Sequence, residues 1–250
     1  MSAFQSSHAS SPDMVVSQMP HAIWRANQMA SFQAAVTSSG FKRLDDELPN
    51  HGWPAAALIE LLVQQHGSGE IGLLQPALAA IARQRRVALV QAPYMPHIAA
   101  WTSWDMPAER LLWVKPRRTA DALWAAEQIL RNGSCGALLF WQETIRPEAA
   151  RRLHLAAQAS ETVFWMIRPL SAAQHSSPSP LRLSVSPARD GLWINVLKRR
   201  GPARGEAFHL RVNQMPASSA LSIPTPLHHA PVDRRTPALT AARDFPAALV

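Results

Sequence analysis

Between about Ser39 and Val212 short apolar blocks alternate with segments in which apolar residues recur every three or four positions. Leu58 to Val63 reads as a buried strand, followed by a glycine-rich turn at Gly67, Ser68 and Gly69. Ile71, Leu74, Leu78 and Ile81 then mark a helix that ends in Arg83, Arg85 and Arg86. Val87 to Val90 and Leu111 to Val114 predict two further strands, the first stopped by Pro93. The clearest helix has Thr119 as N-cap, Asp121 in its first turn, Leu123, Ala126, Ile129 and Leu130 on one face, and Gly133 just past its end. Gly136 to Trp141 is a fourth strand, Pro147 opens a helix reaching about Ala159, and Thr162 to Ile167 is a fifth strand. Such alternation predicts an α/β fold with a mostly parallel sheet and helices on both faces.

After Pro180 the rhythm changes. Leu181 to Val185, Leu192 to Leu197 and Ala207 to Val212 are strand-like runs with no helix between them, separated by Asp190-Gly191 and Gly201-Pro202, and predict an antiparallel meander. The ends differ from this core. Residues 1–38 predict a Ser-rich arm with one short helix around Ile23, Trp24, Met29 and Phe32. Residues 213–250 carry six prolines without any period and predict a disordered tail.

Composition narrows the chemistry. With 250 residues and 47% hydrophobic content, the chain can build one sizeable core. Its formal charge of +8 favours an acidic protein surface or nucleic acid as partner. One cysteine, Cys135, excludes a disulfide framework and a multi-cysteine zinc site, and its place beside Gly136 suits a small core residue. Without a secretory start or a membrane-length apolar run, the expected location is the cytoplasm. His228-His229 lacks partners at metal-ligand spacing, and no GxSxG, HExxH or paired-carboxylate phrase nominates a hydrolase.

Several phrases add a resemblance. The segment Ser39 to Asp45, then Leu48-Pro49 and Gly52-Trp53-Pro54, resembles the lead-in to the nucleotide-binding strand of the RecA recombinase. Leu111 to Trp141 and Trp193 to Val212 are similar to later RecA elements. The closer similarity is to the ImuA family, RecA-like proteins of bacterial translesion DNA synthesis that are often labelled SulA. It rests on His21 to Ala26, Leu44 to Pro49, Gly52 to Pro54, Leu58 to Leu62, Ala120 to Trp124 and Leu197 to Gly201, in that order and spacing. The resemblance implies a RecA-like core over residues 39–212 and a non-catalytic, SOS-induced accessory role. Implied partners are a Y-family-like polymerase homologue of the ImuB type, an error-prone DnaE-type polymerase and RecA itself. A SulA-type division inhibitor that binds FtsZ is the chief alternative, and an ATP-dependent recombinase the third.

The nucleotide machinery argues against that third reading. A phosphate-binding loop needs GxxxxGK[ST], so that backbone N–H groups wrap the phosphates while a lysine and a hydroxyl handle the terminal phosphate and magnesium. Here the turn runs from Gln64 to Ile71, with Glu70 where the lysine would follow Gly69. Carried over from RecA, the water-activating glutamate falls on Pro93 and the magnesium-associated aspartate on Trp141. These losses predict no hydrolysis and no cofactor, and leave Gly67 to Gly69 as a plain strand-to-helix turn.

Basic residues remain as candidate contacts. Lys198, Arg199 and Arg200, with Arg204, form the densest cluster, and the resemblance implies an intersubunit or phosphate-facing surface for them; a solvated hairpin tip is the alternative. Lys115, Arg117 and Arg118 follow a strand's C-terminal end, where open α/β sheets place ligands. Arg146, Arg151 and Arg152 suit a solvated helix face. Pro169 to Pro180, which corresponds to the DNA-contacting loop of RecA, has no Lys or Arg, so only weak nonspecific DNA binding is expected. Trp113, Trp141 and Trp165 are expected in the core, whereas Trp24, Trp101 and Trp104 are candidate interface anchors, Trp24 first among them.

Overall fold

A computed structural model describes residues 35–201 and 206–212. Trp24, Arg204, the short helix expected around Ile23 and the tail 213–250 lie outside the described residues.

An eight-stranded sheet organises the described chain. Its strands are β3 (Ala57–Val63), β4 (Arg86–Val90), β5 (Leu111–Val114), β6 (Cys135–Trp141), β7 (Val163–Pro169), β8 (Leu181–Ala188), β9 (Gly191–Lys198) and β10 (Phe208–Leu210). They lie in the order β10-β9-β8-β3-β7-β6-β4-β5. Every pair from β8 to β5 is parallel, and only β8-β9 and β9-β10 are antiparallel. The first of the three late strands therefore differs from a plain meander: β8 continues the parallel sheet beside β3, and the chain turns antiparallel only at Asp190-Gly191. A small ladder outside this sheet pairs β1 (Val36–Thr37) with β2 (Trp53–Pro54), so part of the expected arm is held against the lead-in to β3.

Both faces of the sheet are covered, which explains why β3, β6 and β7 are almost continuously apolar instead of alternating. On one face Ile59, Leu61 and Val63 of β3 join Leu73, Leu74 and Leu78 of the helix Glu70–Ala82, here α2 after the short α1 (Lys42–Asp45). Trp53 and Trp165 meet edge to face in this core, with ring centroids 5.7 Å apart. Gly40, at φ 82°, lets the lead-in approach α2, because a Cβ there would lie 2.4 Å from Pro76 Cβ. On the other face Leu58, Phe140 and Phe164 pack against α4 (Thr119–Asn132) and α5 (Pro147–Gln158).

Helix ends follow the expected chemistry with one shift. Gly133 caps α4 at φ 58° and Pro147 is the first residue of α5. The N-cap of α4, however, is Arg118, and Thr119 is already helical. Tryptophan placement departs further. Trp101, on the short α3 (Ile98–Ser103), is only 6% exposed and packs against Trp104 at 6.0 Å between ring centroids. Trp113 is 37% exposed instead of being a core residue, because β5 pairs on one side only, with β4. Among the described residues no helix is long and apolar enough to cross a membrane.

Candidate functional site

The turn between β3 and α2, which lacks the phosphate-loop sequence, is held by its own side chains. Gly69 sits at φ 104°, a left-handed conformation that favours glycine, and hands the chain into α2. Glu70, the first residue of α2, is 2% exposed, and its Oε1 accepts the Gly67 N–H at 2.8 Å. A carboxylate is thus seated at the positive end of the helix, on a backbone donor of the kind that a phosphate would need. Ser68 Oγ donates to the Gln65 carbonyl at 2.7 Å, so this hydroxyl too is engaged within the turn.

Packing covers the turn as well. A Cβ at Gly69 would lie 2.9 Å from Leu192 Cδ2, one at Gly72 would lie 3.1 Å from Val212 Cγ1, and one at Gly67 would lie 3.6 Å from the Tyr94 ring. Leu192 is the second residue of β9 and is buried, so the antiparallel part of the sheet supplies the side chain above Gly69. Pro93 is exposed beyond the end of β4 and carries no ionisable group. Trp141 ends β6, 6% exposed, in the same core cluster as Leu73 and Leu74 of α2. Positions 70, 93 and 141 therefore hold a buried carboxylate, a proline and an indole.

The basic candidates separate. Lys115, Arg117 and Arg118 follow β5 at one edge of the sheet, with the Lys115 ammonium 5.7 Å from the Trp113 ring centre. Lys198 and Arg200 lie at the end of β9, separated from β5 by five intervening strands, and β9 runs against the parallel strands. Arg199 points inward: its side chain is 10% exposed, and Nη1 donates to the Glu47 carbonyl at 2.6 Å and to Glu47 Oε2 at 3.1 Å. The cluster thus divides into one arginine that ties β9 to the lead-in and two exposed cations, of which Lys198 donates to the Ser177 carbonyl at 2.9 Å. Lys198 and Arg200 also act on His154 of α5. Burial first, and these two charges second, push its imidazole below the usual range.

On the α5 side of β3 lies a cluster that the sequence reading missed. Glu60 is fully buried. Its Oε2 accepts Arg182 Nε at 2.6 Å, and its Oε1 accepts Ser177 Oγ at 2.8 Å and Arg168 Nη1 at 3.3 Å. A glutamate inside an apolar run and an arginine at the end of another are the signals that could have found it, since neither is stable in a core alone. Among the described residues no group of His, Cys, Asp and Glu could hold a metal ion. Cys135 is buried, and burial pushes its thiol up, away from the reactive thiolate.

Exposed tryptophans also differ from the expected set. Trp124, 63% exposed, projects from α4, and Trp193, 49% exposed, projects from β9 and meets His209 edge to face at 5.4 Å.

No protein-family model matches the chain. It is 26% identical over 98 residues, 39% of its length, to the cell division inhibitor SulA of Edwardsiella piscicida. The chain spans 58% of the length of that curated relative. Among solved structures, SulA from Pseudomonas aeruginosa aligns over 46% of this chain and 99% of its own, with 26% identity and a TM-score of 0.39. At the level these findings reach, the chain is a mixed α/β protein with SulA-like sequence similarity.

Proposed function

We propose that this chain is a RecA-like, non-enzymatic protein of the response to DNA damage that acts by binding other proteins. The observation that carries the reading is Glu70: buried, bonded to Gly67 and seated at the start of α2, it gives the turn a negative charge where a nucleotide would bring its own. The central position of β3, with helices on both faces and an antiparallel extension on one side, supports the RecA-like part of the proposal.

Two partner sets fall within this class. Similarity to a protein named cell division inhibitor SulA favours a SulA-type role, in which the chain holds the division GTPase FtsZ. The ordered ImuA-like phrases favour the second, a mutasome subunit that joins an ImuB-type polymerase homologue and a DnaE-type polymerase. They run from His21 to Gly201, a longer stretch than the 98 residues aligned with SulA. Lys198, Arg200, Lys115, Arg117 and Arg118 supply cationic surface for acidic partners in either case.

Co-purification of the full chain from cells with damaged DNA tests the proposal. Recovery of FtsZ supports the SulA-type role, and recovery of polymerases supports the mutasome role. ATP turnover by the purified chain, lost on Gly69→Pro, would overturn the non-enzymatic reading.

A further inference from the structure

A cavity of about 680 Å³ opens at the C-terminal ends of β3 and β7, on the face that carries α5. It borders the first residues of the turn, His66 among them, but not Gly67, Ser68, Gly69 or Glu70. Its walls are mainly apolar, with Ile145, Pro147, Ala150 and Pro178 among them, and Glu60 and Arg168 also line it.

Among the buried groups at this site charge does not balance. Glu60 is one buried carboxylate between two buried guanidinium groups, which leaves one surplus positive charge there, while Glu143, the other carboxylate on the wall, is exposed to solvent. The two arginines are not equivalent. Arg182 is fully engaged, with Nε on Glu60, Nη1 on the His175 carbonyl at 3.1 Å and Nη2 on the Ala172 carbonyl at 2.7 Å. Arg168, with a side chain only 8% exposed, makes a single 3.3 Å contact to Glu60, and its buried Nε has no partner. His66, on the cavity wall, also has a buried ring nitrogen, Nδ1, without a partner. Buried guanidinium donors in native proteins are nearly always satisfied, so an arginine with an unused donor in the wall of a largely apolar cavity points to a ligand that completes it.

We propose that this cavity binds a monocarboxylate with an apolar body, its carboxylate taken by Arg168 and its body lying against Ile145, Pro147, Ala150 and Pro178. A guanidinium edge matches a carboxylate bidentately, and one such ligand neutralises the single surplus charge. A polyphosphate fits the same space poorly. Glu60 borders the cavity, Glu143 stands exposed at its rim, and only one guanidinium is unspent. The chemistry is shared by a peptide C-terminus and a free small organic acid. The inference is independent of the partner assignment above, because it rests on the cavity alone.

Calorimetric titration of the full chain tests it with N-acetyl-leucine, its amide, inorganic phosphate, and a pentapeptide ending in leucine with either a free or an amidated C-terminus. The expected result is saturable binding of N-acetyl-leucine and of the free-ended peptide, with neither amide binding. Arg168→Gln is expected to weaken binding at least about tenfold, the loss of one charge-assisted pair. The unliganded fold should survive, since Glu60 keeps Arg182 and Ser177. Tighter binding of the peptide than of the free acid identifies a peptide end as the source, and the reverse identifies a small metabolite. Equal binding of acid and amide, binding of phosphate in place of the acids, no binding by any probe, or unchanged affinity in Arg168→Gln would each overturn the proposal. Should Arg168→Gln fail to fold, Arg168→Lys keeps the charge without the planar fork and is expected to bind more weakly than the parent; undiminished binding there would overturn it as well.

Discussion

Replacing Glu70 with lysine places the phosphate-loop residue type in the turn, and the structure predicts a loss of stability without a gain of activity. The wild-type carboxylate accepts the Gly67 N–H at 2.8 Å from a site that is 2% exposed. Losing a hydrogen bond to a charged group costs about 1.5–3 kcal/mol. The new cation also sits at the positive end of α2, where the helix dipole changes from favourable to unfavourable, adding about 1 kcal/mol. The sum, about 2.5–4 kcal/mol, corresponds to a melting temperature lower by about 5–15 °C for a domain of this size. Glu70→Gln, which keeps a carbonyl acceptor, should fall by less than half as much. Differential scanning calorimetry measures both shifts, and phosphate release from ATP, with and without single-stranded DNA, measures activity. Turnover should stay at background, because Pro93 and Trp141 still occupy the other two positions. A Glu70→Lys protein as stable as its parent, or one that releases phosphate, would refute the account of the closed turn.

Other outcomes follow from the same contacts. Glu60→Leu strands Arg168 and Arg182 in the core and should cost about 3–5 kcal/mol by urea denaturation; a change under about 1 kcal/mol would show that the cluster adds no stability. His154 accepts the Leu58 N–H at 3.4 Å through Nδ1, a role open only to the neutral ring, and its proton affinity is lowered in the fold. The unfolded chain therefore binds more protons, so stability is present above the ordinary histidine range, about 6.5, and is lost as pH falls below it. His154→Gln should flatten that part of the melting-temperature profile between neutral pH and pH 5, and an unchanged slope would exclude the residue as its source. Arg199→Ala should lower the melting temperature through loss of the Glu47 contacts, whereas Lys198→Ala with Arg200→Ala should leave it nearly unchanged and weaken partner capture in pull-downs. If all three substitutions behave alike, the division of this cluster is mistaken.

Local pattern determined much of the framework. The runs at 58–63, 87–90 and 136–141 are strands whose two faces are both covered, which makes burial continuous along each of them and therefore visible in sequence; the edge strand at 111–114 is read from its apolar run alone. Gly133 and Pro147 mark helix ends because their backbone preferences act within one turn of chain.

Tertiary structure decided what neighbours each strand and side chain receives. Trp113 is partly exposed because β5 lies at the sheet edge, and Trp101 is buried because α3 folds it onto the core, facts that no short window contains. Arg199 reads as one of three equal cations until Glu47, 152 residues earlier, turns it inward. Glu60 likewise meets Arg168 and Arg182 across separations of 108 and 122 residues. Apolar periodicity reports how much of a residue is covered, because burial of one face imposes a repeat on the chain itself. Electrostatic pairing imposes no repeat, so its partners emerge only when the fold brings distant segments together, as the parallel strands about 4.8 Å apart do for Glu60.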